Sequence, residues 1–435
     1  MEKKIFEKTD GIRGKVGEEP VTRETMYGMG RAVGRFFDGG VILVGRDTRE
    51  SGEWIRDEVA RGLAEIGVEV WDVGVVSTPG LGRLVKTTDA VGGVMITASH
   101  NPATENGLKV FRGDGDKLTD KEELEVEAKF FADDREMVDG GEILERKDLV
   151  EGYEKQLVEV AGGVDLGGLK VGVDSAAGGA YELSRRVFEK LGVESFEVSA
   201  APDGSNINVE CGALYPEKMV AKVSEADMGV ILDGDADRVM VADETGRIWN
   251  GDRIVALLAK ELGYTRVVVT EYSNLGVVNY LKDIGVEVLK VVNGDRFVAE
   301  KCVETATDLG GEFSGHILKM DWLTSSDGMM VAVLLLKIMK QRGVKLSEMW
   351  PEYEDYPQRI WSLEVREKVP LEEVAGWSEA EKKWSKYLGN EGRLFARYSG
   401  TEKKLRIMVE SVDEKKMEEA GEALVKIIKE EIGND

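Results

Sequence analysis

Three times along this chain an apolar run gives way to a segment of helical spacing, then to a glycine, then to a second β-branched run. The first copy is VILVGRDTR (41–49), a helix from about Gly52 to Ile66, and GVEVWDV (67–73). The second is KVGVDSAAG (170–178), a helix to about Leu191, and GVESFEV (192–198). The third is RVVVTEYSN (266–274), a helix to about Ile284, and GVEVLKV (285–291). A glycine at the junction can take the left-handed conformation that ends a helix, and the β-branched run behind it starts a strand. Parallel strand–helix–strand units stack side by side, so each copy is expected to nucleate its own mixed sheet. From Arg359 the order changes to strand (RIWSLEVREKV), helix (about 371–388), strand (RLFARYS), strand (KLRIMVES) and helix (413–432). Short strands joined tightly predict an antiparallel sheet with helices on one face. The fold class is therefore α/β, with three similar mixed-sheet α/β domains and a smaller C-terminal α+β domain. The expected domains are 1–150, 151–248, 249–356 and 357–435, with Pro351 and Pro357 marking the last linker.

The stretch 91–111, VGGVMITASHNPATENGLKVF, organises the rest. Val91 to Thr97 reads as a buried strand, Leu108 to Phe111 resumes the apolar run, and the polar loop between carries Ser99, His100, Asn101, Asn106 and Lys109. Loops leaving the ends of buried strands are where open α/β sheets keep their chemistry. A lone serine there is usually a turn residue. Two further segments change that reading: Asp233-Gly234-Asp235-Ala236-Asp237-Arg238 and Arg397-Tyr398-Ser399-Gly400-Thr401-Glu402. A serine loop, an acidic loop and an anion loop together point to phosphoryl transfer through a phosphoserine.

In an extended segment the carboxylates of 233, 235 and 237 would share one face. At about 4 Å and an effective dielectric near 20, each pair would cost on the order of 4 kcal/mol without a cation. Hard oxygen ligands favour magnesium as that cation. In Thr9-Asp10-Gly11-Ile12-Arg13-Gly14 a turn between glycines would bring a guanidinium close to a ligand, although taken alone the motif favours an ordinary turn. Gly311-Glu312-Phe313-Ser314-Gly315-His316 offers a carboxylate, a hydroxyl and an imidazole to a sugar ring, or a plain glycine-rich turn. Arg397 to Thr401, with Arg406 on the next strand, suits a phosphate dianion.

Composition narrows the classes. The net charge of −25 disfavours nucleic acid or an anionic membrane as partner, and an anionic substrate needs the local Arg and Lys clusters just described. No apolar run is long enough to cross a bilayer, and MEKKIFEKTDG lacks the apolar core of a signal peptide, which predicts a cytoplasmic protein. Cys211 and Cys302 are too far apart for zinc-type spacing. Both histidines, His100 and His316, have polar flanks.

The pieces TDGIRG, TASHNP with NG-K, DGDADR, GEFSGH and RYSGTE, in this order over about 400 residues, resemble the α-D-phosphohexomutase family, closest to its phosphoglucosamine mutase branch. That family has three similar α/β domains and a smaller fourth around a central cleft. The resemblance implies that Ser99 is the phosphoserine and that Asp233, Asp235 and Asp237, with its phosphate, hold one Mg²⁺. Arg13, His100, Lys109, Arg238 and His316 would surround the transferring group, Lys109 and His316 as candidates for proton transfer. Glu312 and Ser314 would bind sugar hydroxyls. Arg397, Ser399, Gly400, Thr401 and Arg406 would grip the phosphate that is not reacting. The implied reaction converts glucosamine 6-phosphate to glucosamine 1-phosphate through a hexose 1,6-bisphosphate, which also serves as primer. The alternatives are a phosphomannomutase or phosphoglucomutase, a sugar-phosphate phosphatase and a silent sugar-phosphate binder. The expected assembly is a monomer or homodimer. The sequence departs from the family at Phe6-Glu7-Lys8-Thr9, where Phe-Gly-Thr is usual, and at Lys403, where proline is frequent. Phe313 occupies the variable place of the sugar loop.

Overall fold

The computed structural model describes residues 11–132, 140–399 and 403–434. They form two bodies, one built from residues 11–132, 140–272 and 286–351, the other from 273–285, 352–399 and 403–434.

The first body contains three mixed sheets with one shared plan. In the first, strand Val41–Arg46 lies between Glu69–Val75 and Gly92–Ile96, parallel to both, and Glu105–Arg112 runs antiparallel beside Gly92–Ile96. In the second, Lys170–Asp174 lies between Glu194–Glu197 and Met228–Leu232, with Val239–Asp243 antiparallel beyond. In the third, Arg266–Thr270 lies between Glu287–Val291 and Leu309–Gly311, with Ile317–Lys319 antiparallel beyond. Ile12–Lys15 and Ile143–Glu145 close the edges of the first sheet, and Ile248–Trp249 extends the second. The junction glycines do what the pattern predicts: Gly67, Gly192 and Gly285 have φ of 83°, 69° and 82°.

This plan positions the chemistry. In each sheet the chain leaves the carboxyl end of a parallel strand, turns, and returns antiparallel. The three turns are residues 97–104, 233–238 and 312–316, which carry the serine, the aspartates and the sugar-loop residues. The strands feeding the first two, Gly92–Ile96 and Met228–Leu232, are buried throughout, which anchors those loops at their roots.

Glu105–Arg112 is longer than the apolar run predicts, so Asn106 and Lys109 lie in a strand and not in the polar loop. The reason is Ile12–Lys15, which pairs with Leu108 to Glu105 and extends the ladder. Arg13 likewise sits on that edge strand, opposite Gly107, and not in a turn. The strands approach so closely that a Cβ on Gly107 would lie 1.9 Å from the Ile12 carbonyl oxygen.

The second body is a three-stranded antiparallel sheet, with Lys404–Ser411 between Gln358–Glu364 and Gly392–Tyr398. Leu405, Ile407 and Val409 pack with Met417, Ala420, Leu424 and Ile428 of helix Glu414–Glu431 and with Trp377 and Leu388 of helix Trp377–Leu388. The predicted strand to 369 stops at Glu364, because Val365 bridges Gly433 and the Arg366 N–H bonds the Ile432 carbonyl. The predicted helix from 371 begins as a short 3₁₀ turn and starts afresh at Trp377, after Gly376 at φ 76°. Helix Leu275–Asp283 belongs to this body: the Leu275 N–H donates to Glu410 Oε1 at 2.7 Å, and Asn274 Nδ2 donates to the Tyr356 carbonyl at 3.0 Å.

Candidate active site

Ser99 is 1 % exposed and holds φ at 50°, a left-handed conformation that a serine adopts only when its surroundings impose it. Its N–H donates to Thr97 Oγ1 at 2.9 Å, and the Thr97 hydroxyl donates in turn to Asp47 Oδ2 at 2.7 Å. Its carbonyl accepts from Arg49 Nη2 at 2.9 Å and from Asn208 Nδ2 at 2.8 Å. Thus pinned, the Ser99 hydroxyl donates to Asp233 Oδ2 at 2.8 Å, with His100 Nδ1 3.2 Å from the same Oγ. Burial, with the Arg238 and Arg13 guanidinium charges nearby, lowers the His100 imidazole to about 4, so it is neutral at physiological pH.

Asp233, Asp235 and Asp237 are all buried, and one carboxylate oxygen from each lies within 4.8 Å of the others. They converge through a turn and not along an extended segment: Ala236 takes φ 58° and its N–H returns to the Asp233 carbonyl at 3.0 Å. Thr78 fixes the middle aspartate, its N–H bonding the Asp235 carbonyl at 2.9 Å and its hydroxyl bonding Asp235 Oδ2. Part of the repulsion is met by a side chain. Lys109 Nζ, 2 % exposed, donates to Asp235 Oδ2 at 2.8 Å and Asp237 Oδ2 at 2.9 Å. Burial opposes ionisation of Asp237, but Lys109 and then His316 hold its carboxyl well below the usual range. Asp233 goes the other way, pushed up to about 7 by burial and then by the charges of Asp237 and Asp235. Asp235 Oδ1 is buried with no hydrogen-bond donor among the described residues. An unmet buried oxygen on one of three converging aspartates, another of which takes the Ser99 hydroxyl, fits a hard divalent cation.

The third loop closes on the second. Arg238 forms a backbone bridge with His316, and the Val239 N–H bonds the Gly315 carbonyl at 3.0 Å. Glu312 Oε2 lies 2.6 Å from His316 Nδ1, which assigns that nitrogen its proton. His316 Nε2 lies 3.2 Å from Asp237 Oδ1 and also 3.2 Å from Arg238 Nε. One proton cannot satisfy both: protonated, Nε2 donates to Asp237; neutral, it accepts from Arg238. Burial disfavours the cation, yet Asp237 chiefly, with Glu312, carries the imidazole up to about 10, which selects the protonated form. Glu312 is held low despite burial, chiefly by its bond to His316. A cavity of about 740 Å³ lined by Arg23, Tyr27, Arg31, Arg61 and Phe130 contains none of these groups.

Comparison with known proteins decides the family. Models of the phosphoglucomutase/phosphomannomutase α/β/α domains I, II and III match residues 4–137, 151–246 and 250–356, and the model of the C-terminal domain matches residues 362–427. The chain belongs to this phosphohexomutase family. A phosphoglucosamine mutase of Koribacter versatilis (strain Ellin345) is 38% identical, over 98% of this chain and 96% of that protein. A phosphoglucomutase/phosphomannomutase family protein from Burkholderia thailandensis superposes with a TM-score of 0.82 at 24% identity, covering 97% of this chain and 96% of that one. The N-acetylphosphoglucosamine mutase of Aspergillus fumigatus, solved in complex with GlcNAc-6P and magnesium, gives a TM-score of 0.59 at 20% identity, covering 81% and 92%.

In this phosphohexomutase the first body thus brings Ser99, His100, Lys109, the three aspartates, Arg238, Glu312 and His316 into one bonded network, with Ser314 Oγ 3.2 Å from Glu312 Oε2. In the second body Arg397 and Arg406 stand directly opposite each other on paired strands, like charges that an anion between them would reconcile. The Ser399 N–H bonds the Lys404 carbonyl at 2.8 Å; Gly400 and Thr401 lie outside the described residues. Sequence reasoning missed Arg49, Asp47, Thr78 and Asn208. Arg49 is fully buried and donates to the carbonyls of Ser99, Asn101, Pro102 and Glu105, as well as to Asp47 Oδ2 at 2.9 Å. The available signal was the charged run Arg46-Asp47-Thr48-Arg49 directly behind a buried strand.

Proposed function

We propose that this protein interconverts glucosamine 6-phosphate and glucosamine 1-phosphate by way of phosphoserine 99 and a hexose 1,6-bisphosphate. The observation that carries the reading is the Ser99 hydroxyl, aimed by a strained, buried backbone at Asp233 inside a cluster of three carboxylates and one lysine. The full-length similarity to a phosphoglucosamine mutase supports the choice of sugar.

In the forward direction the C1 hydroxyl of the hexose 6-phosphate attacks the phosphorus on Ser99. The new P–O1 bond forms as the P–Oγ bond breaks, and the hydroxyl proton passes to a base. The bisphosphate then turns end for end, and the 6-phosphoryl group passes to Ser99 Oγ. His100, neutral and beside Oγ, is placed to hold the proton that Oγ gains and loses. Lys109 contributes chiefly positive charge, since both carboxylates it bridges favour its ammonium form. His316 Nε2 and Arg238 Nε, 3.2 Å apart, would stand together at the transferring group. Asp233, Asp235 and Asp237, with the Ser99 phosphate, would hold one Mg²⁺ per chain, which would spread the charge of the transferring phosphoryl. In the C-terminal domain, Arg397, Ser399, Gly400, Thr401 and Arg406 grip the phosphate that is not reacting. The division into 1–150, 151–248, 249–356 and 357–435 gives each of the four motif loops its own domain.

The same chemistry on mannose or glucose phosphates is the second reading, kept because Phe313, 46% exposed, fills the variable place of the sugar loop. Side-by-side kcat/KM on the three hexose 6-phosphates separates them. Replacing Ser99 by alanine abolishes mutase turnover in either case; a Ser99→Ala protein with most of its activity rules the phosphoserine out. Steady release of inorganic phosphate without a bisphosphate primer would instead mark a phosphatase.

A further inference from the structure

At the carboxyl end of its central strand, each of the first two sheets keeps one fully buried aspartate: Asp47, just past Val41–Arg46, and Asp174, the last residue of Lys170–Asp174. Both make the same turn, with Oδ1 accepting the N–H two residues on, from Arg49 at 3.0 Å and from Ala176 at 2.9 Å. Their second oxygens do different things. Asp47 Oδ2 takes the Arg49 guanidinium and the Thr97 hydroxyl; Asp174 Oδ2 takes the Gly212 N–H at 3.0 Å, and so ties down the segment that leads to Gly212. In that segment the Asn208 N–H bonds the Ala176 carbonyl at 3.0 Å, and Asn208 holds φ at 60°. Asn208 Nδ2 crosses from there to the serine loop, donating to the Ser99 carbonyl at 2.8 Å and the Asn101 carbonyl at 3.1 Å. The aspartate turn packs on that same bond. A Cβ on Gly234 would lie 2.7 Å from both Asn208 Nδ2 and the Ser99 carbonyl oxygen, so the residue between Asp233 and Asp235 rests directly against them.

We infer that Asn208 is a positioning residue that sets the serine loop against the aspartate turn and so fixes how Ser99 Oγ meets Asp233. Arg49 shapes the serine loop from within its own domain, whereas Asn208 ties that loop to the domain that carries the aspartates. The Asn208 amide reaches backbone carbonyls, so it acts on the reaction through the placement of Ser99. Asp174 supports it, because it fixes both Ala176, whose carbonyl takes the Asn208 N–H, and Gly212, where the segment ends. Those ties hold Asn208 in a left-handed conformation that an unsupported chain would leave.

This inference rests on the phosphoserine reading, and its test tells the two apart. Asn208→Gly removes the amide, while glycine keeps the left-handed conformation without strain. Its kcat on glucosamine 6-phosphate is expected to fall about 10-fold with KM unchanged, and single-turnover transfer from phosphoserine 99 to the sugar to slow by the same factor. The loss is smaller than the roughly 100-fold of a 1 Å misplacement, because Arg49 Nη2 still holds both carbonyls. Asn208→Asp tolerates the same backbone but turns acceptors alone toward two carbonyls, so it should lose at least as much. A kcat within about twofold of wild type in either variant overturns the assignment, as does a loss that appears as a raised KM or that matches a fall in the folded fraction by circular dichroism. A wild-type protein that turns over substrate with Ser99 unmodified refutes the phosphoserine reading, and the assignment with it.

Discussion

Arg49 offers the sharpest separation of positioning from charge. Its guanidinium is fully buried, pairs with the fully buried Asp47, and supplies hydrogen bonds to four carbonyls that shape the serine loop. Burial raises the Asp47 carboxyl and Arg49 is the chief influence lowering it again, so removing the guanidinium leaves a carboxylate with no counter-charge. Losing one partner of a buried pair typically costs about 3–5 kcal/mol, the range expected for Arg49→Ala in urea unfolding. Two of the four carbonyls, those of Ser99 and Asn101, keep Asn208 Nδ2 as donor at 2.8 and 3.1 Å, which holds the loss within that range. Arg49→Lys is the informative variant. It retains a positive charge for Asp47 but cannot fork to carbonyls spread from residue 99 to residue 105. Its stability loss should be no more than about half that of Arg49→Ala. Its kcat should fall on the order of 100-fold, the cost of misplacing a reacting atom by about 1 Å, with KM little changed. Arg49→Lys with kcat within about twofold of wild type would refute the idea that this guanidinium holds Ser99 in its left-handed conformation.

Three other outcomes follow from the same structure. Gly107→Ala forces a Cβ to 1.9 Å from the Ile12 carbonyl oxygen, so the edge strand carrying Arg13 must separate; a loss of about 1–3 kcal/mol by thermal unfolding is expected, and an unchanged melting temperature would show the contact is slack. His100 has a folded value of about 4 against an unfolded value near 6.5, so its contribution to stability is complete above about pH 6.5 and is lost as pH falls toward 4, by up to about 3 kcal/mol. His100→Gln should flatten the pH dependence of unfolding in that window, and an identical profile would contradict the assignment. Burial pushes the Cys302 thiol up to about 12, so it should resist alkylation near pH 8 in the native protein and react on unfolding; rapid native labelling at Cys302 would show that helix Asp295–Thr305 opens.

The threefold plan was legible because its signal is local. A helix, a stop at Gly67, Gly192 or Gly285, and a β-branched run are each set by neighbours in sequence. The loop residues were legible as chemistry but not as geometry. Asp233, Asp235 and Asp237 converge through the turn at Ala236, and the first cation among them is Lys109, which sequence reasoning put in a loop. Arg49 escaped because what it does depends on carbonyls 50 to 56 residues further on, and no spacing rule reaches that far. Glu312 and His316 were picked out as separate sugar and proton-transfer candidates, yet they act as a bonded pair, because the hairpin folds position 316 back beside position 312. Nor did the pattern show helix Leu275–Asp283 packing with the C-terminal sheet, since its tie is Glu410, 135 positions away.

The central claim is that Ser99 carries a phosphoryl group and passes it to and from a sugar. Peptide mass spectrometry of the full chain, first treated with phosphatase and then exposed to a hexose 1,6-bisphosphate with Mg²⁺, reads this directly. The account predicts one phosphoryl group on the peptide containing Ser99, discharged to bisphosphate when excess hexose 6-phosphate is added. A protein that turns over substrate while the Ser99 peptide stays unmodified, or that carries a phosphoryl group there which hexose phosphate never removes, would contradict it.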